Sequence, residues 1–225
     1  MTMLLPIPDV LSQDDLAFCR HHLADAPWAD GRITAGHQSA QVKQNLQLPQ
    51  DSEAAQAMGA LILNRLSAHP LFITAALPHE VFPPLFNCYR EGMNFGSHID
   101  NAIRGDDKRL RTDLSCTLFL NGPEDYDGGE LLIEDYHGTQ SIKLRAGSMI
   151  LYPATTLHRV APVTRGQRLA SFFWVQSMIR SNEQRRLLLD LDVAIQGLRR
   201  RAGEAPELIQ LSGVYHNLLR QWAEV

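Results

Sequence analysis

Up to about residue 80, apolar positions recur at the three- and four-residue spacing of helix faces. Leu16, Cys19, His22 and Leu23 mark one face, and Ser12 with Asp15 three positions on predicts its capped start. Pro27 and Gly31 end that segment. A second stripe, Ala54, Met58, Leu61, Ile62 and Leu66, opens near Asp51 or Ser52 and stops before Pro70. Between the two stripes, 33–48 is polar and glutamine-rich; short strands are expected there, with His37 as a candidate substrate contact.

From Val81 the spacing changes to short β-prone runs, each punctuated by Gly, Pro, Asn or Asp. The runs are 85–90, 112–120, 130–134, 140–144, 148–152 and 168–175. No helical stripe interrupts them, so an antiparallel sandwich or barrel is expected, and a double-sheet jelly roll accommodates the count. Beyond Ser181 and Asn182 the helical spacing returns, first in Leu187, Leu188, Leu191, Ala194, Ile195 and Leu198, closed by Arg199 to Gly203. Leu208, Leu211, Tyr215, Leu218, Leu219 and Trp222 form the last stripe. The predicted fold is mainly β: a double-stranded β-helix (jelly-roll) core over 81–178. N-terminal helices within a mixed support region, 1–80, pack on it, and 179–225 is a C-terminal helical extension. That extension is expected to lie on the barrel and to offer a contact for a homo-oligomer.

Composition narrows the partners. With 225 residues, 44% hydrophobic, the chain is long enough for one well-packed domain with an appendage. A net charge of -4 argues against a nucleic-acid partner. The three cysteines, Cys19, Cys88 and Cys116, are scattered and form no CxxC pair, which fits a reducing compartment. The apolar start lacks the basic residues of a signal peptide, and the longest apolar run, around 172–175, is too short for a membrane span. The expectation is a soluble, cytoplasmic protein with no membrane partner.

The candidate chemistry centres on His98-Ile99-Asp100. Side chains two apart on an extended strand share a face, so the imidazole and the carboxylate can converge. His158 would complete two His and one carboxylate, the facial set of non-haem Fe(II) oxygenases. In a chain with nine histidines this pattern alone does not discriminate. Asn87 and Tyr89 share a face on the preceding strand and can reach the same cavity. Arg168 heads a strand apolar on both faces, where an unpaired charge is very costly. It therefore needs an anion, either a structural Asp or Glu or the carboxylate of a ligand.

Other conspicuous residues have plainer readings. His21 and His22 are solvated helix positions, His137 lies in a turn beside Gly138, and Arg159 points away from the metal. The mixed-charge run 104–111 is either a solvated loop or a lid over the site.

Taken together, Asn87-X-Tyr89, His98-X-Asp100, Arg111 to Ser115, Gly128 to Leu131, and His158 through Gly166 to Arg168 resemble the Fe(II)- and 2-oxoglutarate-dependent dioxygenases. The likeness is to their prolyl-hydroxylase-like group and closely to the PKHD-type hydroxylases; it extends through Ser171 to Ser177 into the helical tail. Prolyl-4-hydroxylases usually carry Lys at the Arg168 position, and Arg is the PKHD-type form. The resemblance implies Fe(II) held by His98, Asp100 and His158, and 2-oxoglutarate paired through its far carboxylate with Arg168, helped by Tyr89. O2 would be consumed, succinate and CO2 released, and a C–H bond of a small-molecule or peptide substrate hydroxylated. L-Ascorbate would keep the iron reduced. The family's association with iron-uptake genes implies a link to siderophore metabolism or iron reception. Two rivals are a nucleic-acid dealkylating dioxygenase, disfavoured by the acidic charge, and a non-catalytic cupin-like binding module, which has no need of Arg168 beside the triad.

Overall fold

The computed structural model describes residues 3–34, 41–105, 108–135, 138–203 and 205–225. His37 and His137 lie outside the described residues, as do positions 106 and 107 of the mixed-charge run.

From Leu85 onward the chain steps back and forth between two sheets. Leu85–Tyr89, Leu114–Phe119, Met149–Pro153 and Arg168–Ser177 belong to an eight-stranded sheet. Asn94–His98, Leu131–Asp135, Gly138–Ile142 and His158–Val160 belong to a five-stranded one. The pairings are antiparallel, and their alternation between sheets is the expected jelly roll. The sequence runs find their strands within two residues at either end; Asn94–His98 and His158–Val160 had no run of their own, and Leu5–Ile7 also joins the large sheet beside Met149–Pro153. That three-residue strand is too short to show an alternation of its own.

The period of two decides what the cavity contains. On the large sheet Phe86, Leu114, Cys116, Leu118, Met149, Leu151, Phe173 and Val175 pack outward against the N-terminal helices, in one core with Leu16, Cys19, Met58 and Ile62. Their strand neighbours turn inward, where Tyr89, Phe119, Ile150 and Tyr152 meet Leu131, Ile133 and Val160 of the small sheet. Asn87, Ser115, Thr117 and Arg168 share that inward parity, so several polar groups are built into the space between the sheets.

The N-terminal helices are Gln13–Ala24 (α1), Glu53–Ser67 (α2) and Pro70–Ala76 (α3). The third, absent from the sequence reading, begins on the proline that ends the second stripe: Pro70 sits in its first turn and needs no N–H there. The capping box of α1 is present, with Ser12 N–H donating to Asp15 Oδ2 at 2.9 Å and Asp15 N–H to Ser12 Oγ at 3.2 Å. Asp15 is also the link to α2. Arg65 donates to it from Nη2 at 2.8 Å and from Nε at 3.0 Å, and chiefly these bonds hold the Asp15 carboxyl down at about 2. Because the folded value lies below the unfolded one, the contribution is fully present above about pH 4 and is lost as pH falls towards 2. Asp15→Asn should lower the unfolding free energy at pH 7 by about 2 kcal/mol, the worth of a cap plus a charge-assisted bond. Urea melts of both proteins should converge between pH 4 and 2. A gap that stays constant over that window would refute the assignment.

The C-terminal helices Asn182–Ala202 (α4) and Pro206–Trp222 (α5) form the expected hairpin. Leu188 packs with Leu77 and Ile179, and with Tyr215, Leu218, Leu219 and Trp222 from α5. The tail returns to the barrel through Glu224, whose carboxylate accepts from Arg111 at 3.0 Å. Among the described residues no helix is long and apolar enough to cross a membrane.

Candidate active site

His98 ends its strand, and His158 begins the neighbouring one directly opposite it. Their ring centroids lie 4.2 Å apart. Asp100 follows two residues beyond His98, and its Oδ2 is 3.9 Å from His158 Nε2. One nitrogen of each ring and one oxygen of Asp100 lie within 4.8 Å of one another, close enough to share one ion.

Both imidazoles are held in the tautomer that ligation requires. His98 Nδ1 is 2.8 Å from the Gly96 carbonyl, and His158 Nδ1 is 2.9 Å from the Thr156 carbonyl. A carbonyl only accepts, so each Nδ1 carries the proton and each Nε2 presents its lone pair. Burial, and then the neighbouring His158, pushes the His98 imidazole down to about 4, so it is neutral near pH 7. Asp100 is oriented from the opposite sheet, where Ser115 Oγ donates to its Oδ2 at 2.5 Å. The donor set fits a divalent metal that takes nitrogen and oxygen ligands and retains open positions.

One irregularity shapes the wall beside it. Between the pairs His158 with His98 and Val160 with Phe95 the register slips, so one strand carries an extra residue. Phe95 and His98, three apart, thereby face the same way and stack with centroids 3.6 Å apart. Tyr152 meets His158 edge-on at 5.2 Å.

Arg168 sits deeper, 1% exposed, opposite Tyr89 in the register. Its guanidinium lies between the rings of Tyr89 and Phe119, 5.3 Å from each centroid. Gly129, at φ 66, leaves room for the stem: a Cβ there would lie 3.2 Å from Arg168 Cδ. Among the described residues no carboxylate pairs with Arg168; Nη1 reaches only Asn87 Oδ1 at 3.4 Å, and Nε makes no hydrogen bond. A structural ion pair to Arg168 is therefore not found among the described residues. A buried charge with no carboxylate partner among them suits a ligand's carboxylate. Burial pushes the Tyr89 hydroxyl up to about 12, against the pull of Arg168, so it stays a hydrogen-bond donor.

His98, Asp100, His158, Tyr89 and Arg168 all line one cavity. His22 is instead half-buried against Phe18, and Arg159 is exposed. At the two ends of the mixed-charge run Ile103–Arg104 pairs with Leu110–Arg111, and Leu110 is buried.

Sequence reading missed Lys43, Asn45 and Ser115 as cavity residues. Lys43–Gln44 pairs with the His98 strand and Leu46–Gln47 with the Tyr89 strand, so this segment crosses between sheets. Lys43, Asn45 and Gln47 are all buried while Gln44 is exposed. The signal was a period of two with its polar residues inward, the reverse of an ordinary half-buried strand.

Known proteins are similar over nearly the whole chain. A family model described as the 2OG-Fe(II) oxygenase superfamily matches residues 84–176, and one described as the PKHD-type hydroxylase C-terminal domain matches 182–224. A PKHD-type hydroxylase from Saccharophagus degradans is 58% identical, covering 99% of this chain and 100% of its own. One from Xanthomonas campestris is 60% identical with the same coverage. Among solved structures, a Pseudomonas putida prolyl-4-hydroxylase superposes with a TM-score of 0.54 at 22% identity, over 79% of this chain and 94% of that one. Streptomyces hygroscopicus HygX, solved with nickel and 2-oxoglutarate bound, gives 0.56 at 16% identity, over 78% and 83%. At such identities the structural matches speak for the jelly-roll fold.

Proposed function

We propose a site-by-site reading from the premise that the chain belongs to the PKHD-type hydroxylases of the 2OG-Fe(II) oxygenase superfamily and is a 2-oxoglutarate-dependent dioxygenase. That membership sets aside the non-catalytic binding module. In our reading His98, Asp100 and His158 hold Fe(II), Arg168 receives the far carboxylate of 2-oxoglutarate, and the Tyr89 hydroxyl donates to the same group. The observation that carries it is the buried guanidinium of Arg168, unmatched by any carboxylate of the described residues, in the same cavity as the three metal-competent side chains.

When bound, Fe(II) supplies the oxygen chemistry, in which 2-oxoglutarate is decarboxylated to succinate and CO2 and a substrate C–H bond is hydroxylated. The residues of the chain supply position. The two Nδ1–H bonds fix the rings before any ligand arrives, and Ser115 fixes the carboxylate, so little ordering remains to be done on binding. Phe95, Tyr152 and Val160 keep water from the reacting region.

The finer proposals are these. Residues 81–178 form the catalytic core, 1–80 support it while lending Lys43 and Asn45 to the cavity, and 179–225 form an extension. The exposed Leu187, Val193 and Ile209 on that extension favour a contact between copies. L-Ascorbate would sustain turnover, and the enzyme would act in the cytoplasm on a substrate other than nucleic acid, given the net charge of -4. The resemblance to PKHD-type proteins supports a link to iron uptake.

The deciding experiment is 2-oxoglutarate turnover, read as succinate, across siderophores, peptides and amino acids, beside anaerobic addition of Fe(II) and 2-oxoglutarate. A visible charge-transfer band and substrate-dependent succinate are expected; iron bound without a band would sink the reading. Ser115→Ala should weaken Fe(II) binding about tenfold to a hundredfold, with Ser115→Thr restoring it. Unchanged Fe(II) affinity in the alanine variant would show that Ser115 does not position Asp100.

A further inference from the structure

Buried polar atoms without hydrogen-bond partners gather around Arg168. Its own Nε is one, and the hydroxyl of Tyr126, which lies beside the guanidinium, is another. A third side chain in the same state is Asn45, whose amide makes no hydrogen bond from either Nδ2 or Oδ1. Asn45 lines the cavity together with Tyr89 and Arg168, and it has no part in the chemistry assigned so far.

Asn45 is 4% exposed and held from several sides. Its carbonyl accepts from the Gly31 N–H at 2.9 Å, and the next residue, Leu46, pairs with Cys88 on the Tyr89 strand. A Cβ at Gly31 would collide with Asn45 Oδ1, so the amide occupies space that only a glycine leaves there. An amide so confined cannot swing out to water for its hydrogen bonds. Leaving both of its ends unmade is costly, which calls for a reason to keep it.

The polar group beside it is the Tyr89 hydroxyl. Burial pushes that hydroxyl up to about 12, and Arg168, then the Asn45 amide, act the other way, as donors beside an oxygen do. Oδ1 is the end turned to Gly31, so Nδ2 is the end left to donate. A phenol oxygen that accepts one N–H still has its single proton to give. A carboxylate has two oxygens and about four acceptor positions, more than a bidentate guanidinium fills.

We propose that Asn45 is a positioning residue of the co-substrate seat: when 2-oxoglutarate binds, Asn45 Nδ2–H donates to Tyr89 Oη, and the phenol proton is thereby turned onto the far carboxylate beside Arg168. It rests on the reading that Arg168 and Tyr89 receive that carboxylate. Asn45 does not touch the ligand; it selects which way the Tyr89 hydroxyl points.

The test uses the full chain with Fe(II), kept anaerobic and titrated with 2-oxoglutarate, the visible band giving the affinity. Asn45→Leu removes both polar ends at similar volume, and Asn45→Val serves as the second variant should leucine unfold the chain. Either is expected to weaken 2-oxoglutarate about tenfold, the worth of one hydrogen bond, with Fe(II) affinity unchanged. Tyr89→Phe should weaken it to a similar degree. The deciding comparison combines them. Beside Tyr89→Phe the Asn45 substitution should add less than about twofold, because the hydroxyl through which it acts is gone; independent contacts would multiply. A merely structural role for Asn45 would not depend on the Tyr89 hydroxyl. Unchanged 2-oxoglutarate affinity in the Asn45 variants, or a loss that persists beside Tyr89→Phe, overturns the proposal and leaves the co-substrate reading standing. Unchanged affinity in Tyr89→Phe, or no band at all, overturns both.

Discussion

Alanine in place of His158 is expected to lower 2-oxoglutarate-dependent succinate formation by more than about a hundredfold and to remove the visible Fe(II)–2-oxoglutarate band. Changes to groups that merely orient a ligand already cost about ten- to a hundredfold, and removing a ligand itself should exceed that. His158 is a demanding choice among the three. It is buried, its Nδ1 is committed to the Thr156 carbonyl, and its Nε2 faces the Asp100 carboxylate. A water filling the space left by alanine has no comparable support. Asp100→Ala should behave alike. If His158→Ala kept both the band and substantial turnover, the metal would have to be held elsewhere.

The second large effect separates binding from stability. Arg168→Met should raise the 2-oxoglutarate concentration for half-saturation by about a hundredfold, the expected loss when one member of a desolvated charge pair is removed. Fe(II) affinity measured without 2-oxoglutarate should be nearly unchanged. The same variant should unfold at an equal or higher urea concentration than the unaltered chain when no ligand is added. Met fills most of the volume between Tyr89 and Phe119, and the fold loses a buried charge that no described carboxylate balances. A structural ion-pair role predicts the opposite, a loss of about 3–5 kcal/mol. Destabilisation of that size with normal 2-oxoglutarate affinity would remove Arg168 from the site.

The two variants also bear on how the site is organised. The metal-competent side chains are contributed by the small sheet, at His98 and His158, while Arg168 and Tyr89 come from the large one. Ser115 reaches across the gap to Asp100. Fe(II) affinity and 2-oxoglutarate affinity should therefore respond to different substitutions, with Ser115 as the connection.

Much of this was legible in the residues, and the reason lies in locality. Capping at Ser12 and Ser52, the helical stripes, and the shift to short punctuated runs after Val81 depend on neighbours within a few positions. The same holds for parity: that Asn87 shares a face with Tyr89, and Arg168 with Ala170, Phe172 and Trp174, follows from the pleat alone. Combined with family likeness, those features were enough to nominate His98, Asp100, His158, Arg168 and Tyr89.

Pairing between distant strands is not local, and the tertiary structure alone decided it. His158 lies across from His98, Arg168 across from Tyr89, and Lys43 across from Phe95 because of registers summed over the whole barrel. The slip beside Gly96 turns Phe95 onto the His98 ring, against the parity that its spacing implies. The absence of a described carboxylate beside Arg168 is likewise a fact about which segments surround it. Lys43 and Asn45 looked like part of a polar stretch with short strands until a crossing between the sheets turned them inward. A sequence states which side chains can share a face; only the closed fold, by burying that face against another, determines what those side chains meet.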